Sequence, residues 1–106
     1  MNLLFICSRN KWRSRTAETI FKNSQVHQVR SAGTANSAAV RVNQKALLWA
    51  DIIFVMEDKH KKYLKEQFNS IFPNDKIIVL GIPDDYQYMD PELIDLIKTS
   101  VSPYLI

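Results

Sequence analysis

Cysteine is nearly absent from this 106-residue chain, which contains only Cys7. One thiol cannot form an internal disulfide or a multi-thiolate zinc site, so a disulfide-stapled secreted scaffold and a structural zinc are excluded. Histidine adds little, because His27 and His60 lack metal-ligand spacing and are expected to be structural or surface residues. We therefore expect a protein of the reducing cytoplasm, without a metal or an organic cofactor.

Glycine and long apolar runs are also scarce. The chain has two glycines and four prolines against 46% hydrophobic and 24% charged residues, a composition that excludes collagen-like, repeat and disordered chains. Its length suits a single domain over residues 1–106. The first apolar run, NLLFIC, is six residues long and is followed at once by SRNKWRSR. We expect a buried strand there, and neither a signal peptide nor a membrane span.

Acidic residues are rare in the first part of the chain. Residues 1–45 carry eight lysines and arginines against one acid, Glu18, whereas residues 46–106 carry six basic and ten acidic residues. Four of the positive charges lie within residues 9–15, directly after the first apolar run. Such a bias can indicate nucleic-acid binding, but a local anion site fits this clustering as well. We favour the anion site and do not expect nucleic acid as a partner.

Short β-rich runs alternate with helical patterns along the chain. Three of the predicted strands are apolar nearly throughout, as in a parallel sheet that helices cover on both faces. The predicted strands are residues 2–7, 26–31, 51–56 and 76–80, and the predicted helices are residues 14–23, 37–50, 58–72 and a last helix that Asp90 caps and Pro91 begins. The order predicts an α/β fold with an open four-stranded parallel sheet, whose ligand crevice lies beyond the carboxyl ends of the strands.

Cys7 ends the first predicted strand and begins the segment CSRNKWRS, which leads into a helix. A loop of this length between a strand and a helix can point its backbone N–H groups inward and form a nest for phosphate. The same groups and the helix dipole would stabilise a thiolate at Cys7. Arg13 could bind two phosphate oxygens with its planar guanidinium, and the Ser14 hydroxyl could donate to the sulfur. The expected chemistry is displacement at phosphorus by Cys7, giving a phosphocysteine that water hydrolyses.

The segment LLFICSRNKWRSRTAETIF resembles the N-terminal signature of the low-molecular-weight protein tyrosine phosphatases, in which an apolar strand runs into C-x(5)-R-S and a helix. Further segments resemble that family in order along the chain, namely RSAGT at 30–34, ADIIFVMEDKH at 50–60 and the Pro-Asp loop GIPDDY at 81–86. The resemblance covers nearly the whole chain and is most specific at the cysteine loop. It implies the family's fold and a cysteine-dependent phosphomonoester hydrolase, which acts on phosphotyrosine in a protein or on a small aryl phosphate and releases inorganic phosphate.

The resemblance also implies roles for individual residues. Asp84 matches the general acid, which protonates the leaving-group oxygen and later activates water, and Asp85 is the substitute. The phosphate-binding loop corresponds to Ser8, Arg9, Asn10, Lys11, Trp12, Arg13 and Ser14. From their aromatic character, the candidate walls of a cleft for the leaving group are Trp12, Tyr86 and Tyr88.

Two loop positions depart from the family's pattern. The family usually has glycine two residues after the nucleophile and a second cysteine five residues after it, where this chain has Arg9 and Trp12. Arg9 is expected either to be strained by a positive φ or to add positive charge at the mouth of the site. Trp12 removes the second thiol, so a protective disulfide with Cys7 is not available.

Two other functions remain open at this point. One is a non-catalytic module that recognises phosphate or a phosphoprotein, and the other is a phosphocysteine carrier that holds the phosphoryl group for a partner. Arg13 together with Asp84 disfavours the carrier, because that pair would promote hydrolysis. Arsenate reduction is disfavoured by the single thiol. A membrane partner is not expected, and the oligomeric state does not follow from the sequence.

Overall fold

The computed structural model describes residues 1–68 and 76–105. Strands and helices alternate through this part of the chain, as predicted. The elements are β1 (Asn2–Cys7), α1 (Arg13–Phe21), β2 (Gln28–Gly33), α2 (Gln44–Trp49), β3 (Ile52–Val55), α3 (Asp58–Phe68), β4 (Ile77–Val79) and α4 (Pro91–Val101), followed by a 3₁₀ turn (Ser102–Tyr104). The predicted end of the third helix, at residue 72, lies outside the described residues.

The four strands form one parallel sheet in the order β2-β1-β3-β4. The chain first runs to one side of β1, to β2, and then to the other side, to β3 and β4. The strand order therefore switches direction at β1 and β3, and the crevice beyond their carboxyl ends is where ligands bind in such sheets. Cys7 is the last residue of β1 and is paired with Gly33, the last residue of β2.

Helices cover both faces of the sheet, which explains why β1 lacks polar alternation. Leu3 and Phe5 face one side of the sheet, and Leu4 and Ile6 face the other, all fully buried. Burying each such side chain contributes roughly 1.5–3 kcal/mol relative to leaving it in water. The first side packs against Ala17 of α1 and Leu93, Ile97 and Val101 of α4, and the second against Leu47 of α2 and Leu64 of α3.

The second helix is shorter than the sequence predicted. The expected helix over residues 37–50 begins only at Gln44, where the Asn43 side chain caps it by accepting the Ala46 N–H at 2.8 Å. Residues 34–43 form turns that run alongside the ends of β1 and β2. N–H groups of this segment bind carbonyl oxygens of those strand ends, such as that of Gly33, which accepts from Val42 at 2.9 Å. These bonds hold the segment against the strand ends, and the helix begins only after them.

The other predicted boundaries shift by one or two residues at the ends that the structure describes. The helix predicted at 14–23 is Arg13–Phe21, and the strands predicted at 26–31, 51–56 and 76–80 are Gln28–Gly33, Ile52–Val55 and Ile77–Val79. The last helix begins as predicted, with the Asp90 side chain accepting the Glu92 N–H at 2.9 Å. In the residues described, no helix is both long enough and apolar enough to cross a membrane.

Candidate active site

A cavity of about 380 Å³ opens at the carboxyl edge of the sheet, above the end of β1. Among the described residues, all but one of those that line it belong to the end of β1, the start of α1 or the segment between them. They are Cys7, Ser8, Arg9, Lys11, Trp12, Arg13 and, from the segment after β4, Asp84. We call residues 7–13 the Cys loop.

The carbonyl groups at the start of the Cys loop are held by the segment that follows β2. The N–H groups of Thr34, Ala35 and Ala39 donate to the carbonyl oxygens of Cys7, Ser8 and Arg9 at 3.0, 2.8 and 3.1 Å, respectively. In a trans peptide the carbonyl and the next N–H point in opposite directions. The next N–H groups of the loop are therefore expected to point away from that segment, where they can bind an oxyanion.

Gly33 lets the Cys loop lie this close to the end of β2. A Cβ atom at this position would stand 2.5 Å from the Ser8 carbonyl oxygen and 2.8 Å from the Asn10 nitrogen. Both neighbours are backbone atoms, which cannot move aside without changing the loop. The Cys loop can therefore occupy this position only because residue 33 has no side chain.

Cys7 is buried and its sulfur has a hydroxyl partner. The Cys7 Sγ lies 3.0 Å from the Ser14 Oγ, which itself accepts from the Asn10 Nδ2 at 2.8 Å. The Ser14 hydroxyl keeps its own hydrogen, which it donates to the sulfur when Cys7 is a thiolate. Such a bond stabilises negative charge on Cys7.

Asn10 braces the Cys loop from within. It is fully buried and has φ of 54°, a left-handed conformation that asparagine adopts more readily than most residues. Its Nδ2 also donates to the Ser31 Oγ at 2.9 Å, and Ser31 donates to the Glu18 carboxylate at 2.5 Å. Of the two alternatives expected at Arg9, backbone strain is wrong, because the positive φ of this loop is at Asn10 and not at Arg9.

Arg13 is 2% exposed and is held on one side by two acceptors. Its Nη1 donates to the Glu57 Oε1 at 2.6 Å and to the Ile82 carbonyl oxygen at 2.8 Å, while its Nε lies 3.6 Å from the Asp84 Oδ1. With Nη1 occupied, Nε and Nη2 are the pair of donors that remains to bind an anion.

Glu57 is a site residue that the sequence analysis missed. Burial by itself would raise the pKa of Glu57, but the hydrogen bond and the charge of Arg13 outweigh burial and keep that pKa below its ordinary value. Glu57 is therefore a carboxylate at neutral pH and fixes the orientation of Arg13. Its position directly after β3, at the switch in strand order, was the available signal.

His60 is a second residue that the sequence analysis did not assign to the site. It is 1% exposed, so it is not a surface residue. Its Nε2 lies 2.9 Å from the Ser8 Oγ, and its Nδ1 accepts the Glu57 N–H at 3.0 Å. Burial and the nearby charge of Arg13 lower the pKa of His60 from 6.5 to about 4, which leaves the ring neutral at physiological pH.

The remaining predicted site residues divide into two groups. Asp84 and Trp12 line the cavity, and the Asp84 side chain is 57% exposed. The predicted substitute Asp85 and the predicted cleft walls Tyr86 and Tyr88 are not among the lining residues. Tyr86 packs against the core near α4, and the Tyr88 hydroxyl is 2.8 Å from the Thr19 Oγ1.

The mouth of the cavity is positively charged. Arg9 and Lys11 both line it with exposed side chains, and neither forms a salt bridge within the described part of the chain. The Lys11 Nζ lies 5.0 Å from the centre of the Trp12 ring, a cation–π distance. The positive charge expected at Arg9 is thus accompanied by a second one.

The architecture is shared with solved structures of small α/β phosphatases. The low-molecular-weight protein tyrosine phosphatase SP-PTP from Streptococcus pyogenes matches with a TM-score of 0.79 and 20% identity, over 98% of this chain and 90% of that chain. The predicted fold class, an open four-stranded parallel sheet flanked by helices as in the low-molecular-weight phosphatases, is therefore confirmed.

Arginine phosphatases of the same fold match similarly well. The YwlE arginine phosphatase from Geobacillus stearothermophilus has a TM-score of 0.74 and 22% identity, over 98% of this chain and 92% of that chain. A YwlE variant whose active-site serine is phosphorylated has a TM-score of 0.73 and 21% identity, over 99% and 95% of the two chains. No protein-family model and no curated protein sequence matches the chain. At these identities the likeness establishes the fold.

Proposed function

We propose that the protein is a cysteine-dependent phosphomonoester hydrolase. The observation that carries the proposal is the Cys7 sulfur at a cavity that Arg13 and Asp84 also line. The arrangement supplies a nucleophile, an anion-binding guanidinium and a proton donor within one site. Solved proteins of the same fold are tyrosine and arginine phosphatases, and one of them carries a phosphoryl group on its active-site serine, which supports a covalent mechanism.

Substrate binding is the first step. The phosphoryl oxygens accept hydrogen bonds from the N–H groups of the Cys loop and from Nε and Nη2 of Arg13. Glu57 keeps Arg13 in register for this contact through its 2.6 Å bond to Nη1. The bound phosphorus then lies in line with the sulfur.

Transfer to Cys7 is the second step. The thiolate forms a bond to phosphorus while the bond from phosphorus to the leaving oxygen breaks, and Asp84 gives its proton to that oxygen. The phenol of tyrosine has a pKa of about 10, so an unprotonated phenoxide is a poor leaving group. Proton donation of this kind contributes about 10²–10⁴-fold to the rate.

Hydrolysis of the phosphocysteine completes the cycle. Asp84, now a carboxylate, accepts a proton from water as the water oxygen attacks phosphorus and the bond from sulfur to phosphorus breaks. The Ser14 hydroxyl, 3.0 Å from the sulfur, stabilises the thiolate that leaves. Inorganic phosphate is the product.

An aryl phosphate, with phosphotyrosine in a protein as the natural form, is the substrate class that the mouth of the cavity favours. The leaving group of a phosphoarginine carries a guanidinium cation, which Arg9 and Lys11 would repel. A neutral phenol meets no such repulsion, and the Trp12 ring offers an aromatic surface beside it. The cytoplasmic location expected from the sequence is compatible with a thiolate enzyme.

The experiment is hydrolysis of p-nitrophenyl phosphate in the presence of a chelator, with wild type, Cys7→Ser, Asp84→Asn and the matched control Asp85→Asn. We expect turnover by wild type and by Asp85→Asn, none by Cys7→Ser, and a strong reduction in Asp84→Asn. A phosphotyrosine peptide and a phosphoarginine peptide of the same sequence then test the substrate class, and we expect the first to be hydrolysed faster.

The rival functions give different results in the same assay. A recognition module binds phosphate or vanadate with no turnover beyond the Cys7→Ser control. A phosphocysteine carrier accumulates a stable phosphoenzyme, because water does not hydrolyse its phosphocysteine. Strict dependence on magnesium would contradict the thiolate mechanism.

A further inference from the structure

The hydrogen bonds of His60 define which of its ring nitrogens carries the hydrogen. The Glu57 backbone N–H can only donate, so the Nδ1 that faces it at 3.0 Å has to be the unprotonated acceptor. In a neutral ring the hydrogen is then on Nε2. The Nε2–H therefore donates to the Ser8 Oγ, 2.9 Å away.

The start of α3 holds the ring in this orientation. His60 is the third residue of α3, and its side chain reaches back to the N–H of Glu57, which precedes the helix, while its own N–H donates to the Glu57 carbonyl at 3.0 Å. The bond from the His60 ring to the Glu57 N–H is one half of a capping box, with an imidazole in the place of the usual glutamate or glutamine. The charged groups that act on the ring are Arg13, Glu57, Lys59 and Asp84.

The donation from His60 has a consequence for Ser8. A hydroxyl has one hydrogen, and its oxygen here already accepts a hydrogen from the imidazole. The Ser8 hydrogen is then directed away from His60, and Ser8 lines the cavity. Within the described residues, the Ser8 hydroxyl makes no hydrogen bond other than that with His60.

We propose that His60 is a positioning residue, which orients the Ser8 hydroxyl so that this hydroxyl donates a hydrogen bond to a phosphoryl oxygen bound in the Cys loop. The inference rests on the phosphate site of the proposed function, and it adds a side-chain donor to the backbone donors of the loop. It does not depend on turnover.

The first test measures the tautomer of His60 directly. Long-range ¹H–¹⁵N correlation spectra of the wild-type protein at pH 7, with His27→Gln to assign the two rings, report which nitrogen is protonated. We expect hydrogen on Nε2 and none on Nδ1. A ring protonated on Nδ1 or on both nitrogens overturns the proposal.

The second test measures the affinity for inorganic phosphate by titration, in wild type, Ser8→Ala, His60→Phe and the double variant. We expect Ser8→Ala to weaken binding about tenfold, the effect of losing one hydrogen bond to a charged group. His60→Phe fills the same space without a donor and should weaken binding severalfold. Ser8→Thr, which keeps the hydroxyl, is the matched control and should bind phosphate more tightly than Ser8→Ala.

The double variant separates orientation from a general structural role. If His60 acts through Ser8, the double variant binds phosphate no more weakly than Ser8→Ala alone, because the group that His60 orients is already gone. Multiplied effects of the two substitutions, or unchanged affinity in Ser8→Ala, would overturn the proposal.

The outcome is distinguishable from failure of the proposed function. Phosphate binding that depends on Ser8 and His60 as described, in a protein without turnover, supports the inference and removes the hydrolase. Turnover that depends on Cys7, together with a phosphate affinity that Ser8→Ala does not change, supports the hydrolase and overturns the inference about His60.

Discussion

The two loops that meet at the cavity differ in how firmly the fold holds them. The Cys loop has three carbonyls bound by neighbouring N–H groups, a buried bracing asparagine and an arginine that is 2% exposed. The segment after β4, residues 83–89, which we call the Asp loop, has mostly exposed side chains, and Asp84 is 57% exposed. Its contacts to the rest of the fold include the hydrogen bond from the Met89 N–H to the hydroxyl of Thr16 in α1, at 2.9 Å.

The difference corresponds to what each loop has to bind. The phosphoryl group is the same in every substrate, so its donors can be fixed in advance, which avoids reorganisation during the reaction. The leaving group varies between substrates, and Asp84, the acid that protonates it, lies on a loop that the fold holds less firmly. Loss of a phosphate donor in the Cys loop should therefore weaken binding and chemistry together, whereas loss of the acid in the Asp loop should affect chemistry alone.

The largest effect is expected for Arg13→Lys in the Cys loop. Lysine keeps the charge but loses the fork that binds Glu57 on one side and two phosphoryl oxygens on the other. We expect kcat/KM for p-nitrophenyl phosphate to fall by about 10²–10³-fold. Phosphate affinity should fall as well. Retained affinity with reduced turnover would show that the Cys loop is not the fixed binding element that we describe.

The next largest effect is expected for Asp84→Asn, and the size of the rate loss should depend on the leaving group of the substrate. The variant should lose about 10²-fold in kcat for phenyl phosphate and much less for an ester of a phenol far more acidic than p-nitrophenol, whose phenoxide leaves without a proton. Phosphate affinity should not weaken. An equal loss for both esters would contradict a role as general acid, and Asp85→Asn is the control.

Acid should destabilise the fold through His60, which lies under the Cys loop. Its pKa is about 4 in the folded protein and about 6.5 in the unfolded chain. Between these values the unfolded state binds more protons, so stability is unaffected above pH 6.5 and falls as the pH drops toward 4. The loss reaches at most about 3 kcal/mol.

Urea denaturation of wild type and His60→Gln at pH 7, 5 and 4 measures this loss. Glutamine does not titrate, so the variant should lose less stability over the same interval. His27→Gln, which removes the other histidine, should follow wild type. Parallel curves for wild type and His60→Gln would assign the acid sensitivity to other groups.

The smallest effect is expected for Tyr88→Phe in the Asp loop. The substitution removes an exposed hydroxyl that is 2.8 Å from the Thr19 Oγ1 and does not line the cavity. Stability should change by no more than about 0.5 kcal/mol, and KM for aryl phosphates should not change. A clear rise in KM would restore Tyr88 as a wall of the cleft, as the sequence analysis expected.

The sequence was most informative where the residues of the site are neighbours in the chain. Cys7, Arg13 and Ser14 lie within eight consecutive positions between a strand and a helix, so their spacing alone indicates a loop that can bind an anion. The apolar strands likewise predict the parallel sheet, because burial on both faces leaves no room for polar alternation.

Long-range contacts account for what the sequence did not reveal. Glu57 and His60 reach the Cys loop only because β3 lies beside β1, and the bonded residues are 44 and 52 positions apart. The same holds for the late start of α2, since the Ala39 N–H, inside the helix predicted from residue 37, binds the Arg9 carbonyl of a loop far earlier in the chain. The local periodicity of apolar residues does not predict such long-range partners.

The donor directions in the buried hydrogen bonds between Cys7 and Glu18 decide whether a proton can pass along them. Asn10 donates both amide hydrogens outward, one to Ser14 and one to Ser31, and the hydroxyl hydrogens continue outward to the sulfur and to the carboxylate. Since the amide hydrogens do not dissociate, no proton can pass through Asn10 from one end to the other. The hydrogen bonds therefore hold the sulfur and the carboxylate at the two ends of one buried network and relay no proton between them.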